Sequence, residues 1–267
     1  MNRLRTKIED PSLSPYDRIV LLFNILRSPE GCKWDRQQTH QTLLPYLIEE
    51  AYEVVESIET KRYTDLREEL GDLLTQVVFH AQLASERGEF TLDDVISQVV
   101  VKLVARHPHV FGETTDLNPQ QVRDQWERIK TESGEKESVL AGLPRTMPAL
   151  TMAFRMGEKA GGVGFDWKNA ADVIAKVDEE LAELKEEMES PEADQSRLIE
   201  ETGDLLFAVA SLARKLEIEP EVALRKALEK FRHRFDELER RVRTSGKPFH
   251  DYSLDDLEAM WQQIKLS

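Results

Sequence analysis

Two acidic stretches in the first half of the chain decide its fold: LIEEAYEVVE at residues 47–56 and REELGDLL at 67–74. Both return in the second half, as KVDEELAELK at 176–185 and IEETGDLL at 199–206. A third pair closes each half, WERIK at 126–130 and WQQIK at 261–265. The order is preserved and the offset stays near 130 residues, as expected of a duplicated structural unit. The sequence therefore predicts two copies of one unit.

The apolar residues around these stretches have the period of an α-helix. One stripe is Leu47, Ala51, Val54 and Ile58, and the next is Leu66, Leu70, Leu73, Val77 and Ala81. Helix start signals recur at helix-length spacing, at 14–15, 65–68, 91–94 and 253–256. No stretch alternates polar and apolar residues between turn dipeptides, as a hairpin would. The predicted fold class is all-α.

The helical pattern breaks near the middle of the chain. The segment TESGEKESVLAGLPRTMP at 131–148 contains two glycines and two prolines, a composition typical of a connector. We therefore predict an N-terminal domain over residues 1–135, a linker over 136–148 and a C-terminal domain over 149–267.

Charge and cysteine content narrow the class of protein. With 51 acidic and 36 basic residues, the formal net charge is −15, which disfavours a nucleic-acid partner. The single cysteine cannot form an internal disulfide, and the opening MNRLRTKIEDPS lacks the apolar region of a signal peptide. The apolar runs are far shorter than the roughly 20 residues needed to cross a bilayer. We expect a cytoplasmic protein with no membrane partner.

Each half carries Glu-Glu-x-x-Glu on one helix and Glu-x-x-Asp on the next. The i, i+3 spacing places two carboxylates on one side of a helix, and a short connection makes the two helices antiparallel neighbours. The two acidic pairs can therefore face each other. The acids are Glu49, Glu50, Glu53, Glu69 and Asp72 in the first half, and Glu179, Glu180, Glu183, Glu201 and Asp204 in the second.

Such a group of acids favours a divalent cation. Four close carboxylates repel one another and take up protons, whereas Mg²⁺ accepts a shell of hard oxygen ligands. A lone Glu-Glu-x-x-Glu is typical of a solvated helix face in a chain with 33% charged residues. Two copies, each followed by the second pair and by a shared Gly-Asp-Leu-Leu, predict Mg²⁺ sites, with Mn²⁺ as a substitute. The few histidines argue against structural zinc.

These motifs and several others resemble the MazG family of bacterial nucleoside triphosphate pyrophosphohydrolases over nearly the whole chain. The others are CKWDRQQT at 32–39, RHPHVF at 106–111, GFDW at 164–167, KFRHRF at 230–235 and Trp261. The family usually has proline where Lys33 stands. The resemblance implies two tandem MazG-like helical bundles and a homodimer. It also implies hydrolysis of NTPs and dNTPs to a monophosphate and pyrophosphate, as house-cleaning or nucleotide-pool control.

The resemblance also assigns residues. The implied metal ligands are Glu180, Glu183, Glu201 and Asp204, and the N-terminal copy offers Glu50, Glu53, Glu69 and Asp72. The implied nucleotide contacts are Lys176, Val177, Asp178, Glu179, Glu180, Arg197, Leu198, Ile199, Glu200, Asp204, Lys230, Phe231, Arg232, His233, Arg234 and Trp261.

Three of these residues are the catalytic candidates. Two of the three, Lys230 and Arg234, are suited to neutralise charge on the departing pyrophosphate, as is the neighbouring nucleotide contact Arg232. Glu179, beside Glu180, has two interpretations. It positions or deprotonates the attacking water, or it is a solvated glutamate without a catalytic role. Phe231 and Trp261 either stack on the base or belong to the core.

Two other functions compete with this interpretation. One is a narrower pyrophosphohydrolase that acts on dUTP, phosphoribosyl-ATP or an oxidised nucleotide. The other is a non-catalytic helical dimer that senses nucleotide or metal.

The two halves of the chain differ in the positive charge that they can offer to a triphosphate. Residues 230–234 carry three permanent cations, whereas the corresponding residues 106–110 carry one, and Pro108 interrupts the helix there. We predict that the C-terminal half performs most of the hydrolysis.

Overall fold

The computed structural model describes residues 3–112, 117–118, 121–122, 125–126, 129, 138–190 and 194–266. These residues form helices and turns and contain no strand, which confirms the all-α class. Among them, no helix is long and apolar enough to span a bilayer. Most of the repeated WERIK at 126–130 lies outside the described residues.

The chain divides into two compact units, Met1–Thr115 and Asp116–Ser267. This division falls ahead of the domain boundary at residue 135 that the composition predicts. Most of the residues between 113 and 137 lie outside the described part of the chain. The bounds of the linker therefore stay a prediction.

The first unit is built on a pair of long helices. Its helices are α1 (Arg3–Ile8), α2 (Pro15–Leu26), α3 (Lys33–Gln37), α4 (His40–Glu59), α5 (Tyr63–Glu86), α6 (Leu92–Arg106) and α7 (Pro108–Phe111). Helices α4 and α5 pack along each other, and α2 packs on α5. The core is Phe23, Leu43, Val78, Phe79 and Leu83. This packing holds the two acidic motifs of the first half side by side.

The second unit repeats that pair. Its helices are α8 (Ala149–Gly162), α9 (Ala170–Glu189), α10 (Gln195–Lys215), α11 (Pro220–Ser245) and α12 (Leu254–Leu266), with a 3₁₀ turn at Phe249–Asp251. Helices α9 and α10 pack along each other, α8 packs on α10, and α11 packs on α12 and α8. Helix α9 begins where the Asn169 side chain accepts a hydrogen bond from the Asp172 backbone N–H.

Most of the predicted helix starts are confirmed, and one is wrong. Capping boxes begin α2 at Ser14 and α6 at Thr91. Helix α5, however, begins at Tyr63, not after Asp65. Lys61 adopts a left-handed conformation (φ 57°) that turns the chain sharply, and the Arg62 carbonyl already accepts from Leu66 N–H. Asp65 therefore lies within the first helical turn.

The apolar stripes are only partly buried within their own unit. Ala81 is buried, but Ile58 and Leu70 are each 50% exposed. The second unit has the same feature, with Ile199 64% and Leu206 53% exposed. Each helix pair thus presents an apolar face that its own unit leaves uncovered.

Candidate metal-binding site

Helices α9 and α10 bring three carboxylates of the second unit together. Glu180, Glu183 and Glu201 each offer an oxygen, and these oxygens lie within 4.8 Å of one another. Glu180 is buried, with 5% of its surface exposed, whereas Glu183 is exposed. Asp204, the fourth predicted ligand, lies one turn beyond Glu201 and is not part of this three-residue group. Its charge nevertheless acts on Glu201, whose pKa it helps to raise.

The first unit repeats the arrangement with a different member outside the group. Glu50, Glu69 and Asp72 offer oxygens within 4.8 Å of one another. Glu53 is not part of this group, although its charge and a side-chain hydrogen bond help to raise the pKa of Glu50, and its charge helps to raise that of Glu69. Each half therefore brings together three of the four acids that the sequence predicts.

In both groups the carboxylates repel one another, and their pKa values are raised. Desolvation, followed by the charges of Glu183 and Asp204, raises the pKa of Glu201. Desolvation, followed by the charge of Asp72, raises the pKa of Glu50. A divalent cation relieves this repulsion, and carboxylate oxygens are the donors that Mg²⁺ and Mn²⁺ prefer. The donor set fits such an ion.

Lys176 joins two of the predicted site residues. Its Nζ lies 2.8 Å from Glu179 Oε1 and 2.7 Å from Glu180 Oε1. Hydrogen bonds to Glu179 and then Glu180 raise the pKa of Lys176 well above its ordinary value. Four residues before Glu50, the first half has Tyr46 where the second half has Lys176. This ammonium group is therefore specific to the second half.

Arg197 lies at the start of α10, near the acidic group. Its charge lowers the pKa of Glu201, against the larger effects that raise it. Its Nε lies 3.1 Å from Oε2 of Glu187, a buried residue that the sequence reasoning missed. A signal was present, because Glu187 follows Glu180 by seven residues and so lies on the same helix face. The neighbouring contacts predicted by resemblance are exposed at Asp178, Ile199 and Glu200 and half-buried at Val177 and Leu198.

The remaining predicted contacts form a second group on α11 and α12. The Phe231 ring lies 5.2 Å from that of Trp261 and 5.8 Å from that of Phe235. Lys230, Arg232 and His233 are exposed along one groove of α11. Within the described part of the chain, no hydrogen bond or ion pair links residues 230–234 to the acidic group. The structure brings the predicted residues together in two groups, not one.

Known proteins are similar to this chain over almost its full length. A family model described as the MazG nucleotide pyrophosphohydrolase domain matches residues 38–111 and 169–238. The chain belongs to the MazG family. The two matched segments contain both acidic groups, which confirms the resemblance read from the sequence and the tandem arrangement of MazG domains.

Full-length relatives support the same assignment to the MazG family. A Thermotoga maritima protein named nucleoside triphosphate pyrophosphohydrolase/pyrophosphatase MazG is 47% identical over 252 residues, which cover 94% of this chain and 95% of that protein. An Escherichia coli K12 protein named nucleoside triphosphate pyrophosphohydrolase is 44% identical over 257 residues, which cover 95% of this chain and 98% of that protein. An uncharacterised Bacillus subtilis protein is 42% identical over 90% of this chain, but that match spans 49% of its length.

Proposed function

We propose that this chain hydrolyses nucleoside triphosphates, both NTPs and dNTPs, to a nucleoside monophosphate and pyrophosphate, and that it requires Mg²⁺. The observation that carries the proposal is the convergence of Glu180, Glu183 and Glu201 from two helices. Membership of the MazG family and the names of its full-length relatives support the reaction type. Mn²⁺ would substitute, because it accepts the same oxygen ligands.

The carboxylates have the task of holding the cation. Glu180, Glu183 and Glu201, with Asp204 one turn away, are the proposed ligands, and the first half offers Glu50, Glu53, Glu69 and Asp72. Bound there, Mg²⁺ supplies positive charge to the phosphate oxygens and makes a water molecule a stronger nucleophile.

The remaining residues of the site act on water and phosphate. The water attacks the α-phosphorus as the bond to the α–β bridging oxygen breaks, and Glu179 orients that water or takes its proton. Lys176, next to Glu179 and Glu180, is placed to pair with a phosphate oxygen. Lys230, Arg232 and Arg234 neutralise charge on the departing pyrophosphate, while Trp261 and Phe231 offer rings to the base.

The proposed assembly is a homodimer. Each helix pair exposes apolar side chains that its own unit does not cover, including Ile58 and Leu70 in the first unit and Ile199 and Leu206 in the second. Covering such a face against an identical helix pair stabilises it at about 25 cal/mol per Å² of apolar surface buried.

The test is to identify the products from ATP and to remove single ligands. We expect AMP and pyrophosphate from the wild-type chain, and almost no turnover from Glu180→Ala or Asp204→Ala, with helicity by circular dichroism unchanged. Glu186→Gln, an exposed carboxylate on the same helix as Glu180, should keep full activity. Release of ADP and orthophosphate would contradict the proposed reaction. A panel with dUTP and oxidised nucleotides would show whether the specificity is narrower.

A further inference from the structure

The last turn of α9 contains a carboxylate that no step of the proposed reaction uses. Glu187 is buried, with 9% of its surface exposed. Its Oε1 accepts a hydrogen bond from the Asp194 backbone N–H at 3.2 Å, and its Oε2 lies 3.1 Å from Arg197 Nε. A buried carboxylate destabilises a protein unless both oxygens have donors. One oxygen of Glu187 therefore has a backbone donor, and the other forms an ion pair with the arginine side chain.

Arg197 contacts Glu187 through one nitrogen of its guanidinium group, and most of its side chain is exposed. Its side chain is 62% exposed, and its contact with Glu187 uses Nε. Among the residues that the structure describes, none forms a hydrogen bond with its two terminal nitrogens. Arg197 precedes Glu201 by four residues on α10, so both side chains lie on one helix face. An exposed guanidinium with two free nitrogens beside a cation site is well suited to bind phosphate.

We propose that Glu187 is a positioning residue for the nucleotide: by fixing Arg197 at Nε, it holds the two terminal nitrogens toward the substrate's phosphates beside the acidic group. This inference rests on the proposed function and on the nucleotide contact at Arg197 that the family resemblance implies. It adds a residue that touches no substrate and acts through the arginine.

The first half of the chain lacks this pair. Seven residues after Glu50 stands Ser57, where the same count from Glu180 reaches Glu187. Ser57 is buried and its hydroxyl donates to the Val54 carbonyl at 2.9 Å. Four residues before Glu69 stands Asp65, an acid in the position of Arg197. The buried acid and the arginine therefore occur together in the half that we expect to be the more active.

The decisive variant is Glu187→Gln. Glutamine is uncharged and keeps a single acceptor oxygen, so the substitution removes the ion pair with Arg197 while an acceptor for the Asp194 N–H can remain. We expect the KM for MgATP to rise on the order of tenfold while kcat changes less than about twofold, because the loss is of ground-state binding. Arg197→Gln should raise KM at least as much. The double variant should resemble Arg197→Gln alone, since Glu187 acts through the arginine.

Two further variants distinguish a positioning role of Glu187 from a purely structural role. Glu186→Gln, the adjacent exposed acid on α9, is the matched control and should leave KM unchanged. Arg197→Lys keeps the charge but loses the planar fork that Glu187 holds, and we expect it not to restore KM. Because these variants concern an exposed side chain, they remain measurable even if Glu187→Gln fails to fold.

Several outcomes would overturn the inference. They are an unchanged KM in Glu187→Gln, an unchanged KM in Arg197→Lys, additive effects in the double variant, or a fall in kcat alone. All assays use the full chain, with pyrophosphate release from ATP as the readout. A wild-type chain that releases no pyrophosphate would instead overturn the proposed function, so the two failures are distinguishable.

Discussion

At the scale of one residue, Glu201 illustrates how the acidic group destabilises the folded chain when no cation is bound. Desolvation, then the charges of Glu183 and Asp204, raises its pKa. A carboxyl group whose pKa rises on folding contributes stability while it is protonated, and this contribution is lost as pH rises through the folded-state pKa. In the absence of a divalent cation, the group therefore destabilises the folded chain at neutral pH.

Replacing that carboxylate should stabilise the cation-free protein. We expect Glu201→Gln to raise the thermal midpoint in EDTA at pH 7 and to have a smaller effect near pH 4, where the native carboxyl group is protonated. Added Mg²⁺ should raise the wild-type midpoint but barely change that of the variant, because a ligand is gone. Differential scanning fluorimetry would measure both effects, with Glu186→Gln as the control. A lower midpoint for Glu201→Gln in EDTA would contradict this account.

At the scale of secondary-structure elements, an ion-pair group fastens the loop before α9 to the end of α10. Arg214 donates through Nη2 to Asp166 Oδ1 at 2.5 Å, and Lys215 Nζ donates to Asp166 Oδ2 at 2.7 Å. Gly157 permits the approach, since a Cβ there would lie 2.5 Å from Arg214 Nε. Desolvation raises the pKa of Asp166, but the hydrogen bonds of Arg214 and Lys215 outweigh it and lower the pKa.

Breaking this ion-pair group should lower the stability of the second unit. Asp166→Asn leaves Arg214 largely buried without its counter-charge, and we expect a loss of about 2–3 kcal/mol, below the ~3–5 kcal/mol of fully buried pairs because Asp166 keeps some exposure. The difference from wild type should shrink as pH falls through the lowered pKa, where the native aspartate becomes protonated. Urea unfolding would measure it. The exposed substitution Asp178→Asn should cost less than about 0.5 kcal/mol, and an equal cost for both would refute the role of Asp166.

The helix starts show how far local sequence reaches at this scale. Ser14 and Thr91 were identifiable as caps because a capping box lies within four consecutive residues. Pro108 was identifiable as a break, and α6 does end at Arg106 with α7 beginning at Pro108. The start of α5 differs from the predicted one because it depends on the left-handed turn at Lys61, for which the sequence carries no glycine or asparagine signal.

At the scale of the whole molecule, the uncovered apolar faces predict self-association. We expect light scattering at micromolar concentration to give the mass of two chains. Leu206→Asp, which puts a charge on the face of α10, should shift the mass toward one chain, because burying that charge in an apolar interface is costly. Leu266→Asp is the control, since Leu266 lies at the end of α12, outside the helix pair that carries Leu206. A wild-type mass of one chain would contradict the homodimer.

The two halves should contribute unequally to activity. Lys176, the Glu187–Arg197 pair and the cations at 230–234 all belong to the second half, while the corresponding positions of the first half offer Tyr46, Ser57, Asp65 and one arginine. We expect Glu50→Ala/Glu53→Ala to retain most of the NTP hydrolysis and Glu180→Ala/Glu183→Ala to lose nearly all of it. Equal losses in the two double variants would mean two working sites, and the reverse pattern would overturn the ranking.

The sequence by itself determined the all-α class, the duplication and the identity of the acidic helices. Each of these depends on spacing within a single helix, and the 3.6-residue period places Glu180 and Glu183 on one side whatever surrounds them. Only the tertiary structure decided that Glu201 joins them in one group within 4.8 Å, a group that does not include Asp204, and that Glu187 contacts Arg197. Distances between helices depend on how the helices pack and on side-chain rotamers, which no spacing along one helix specifies.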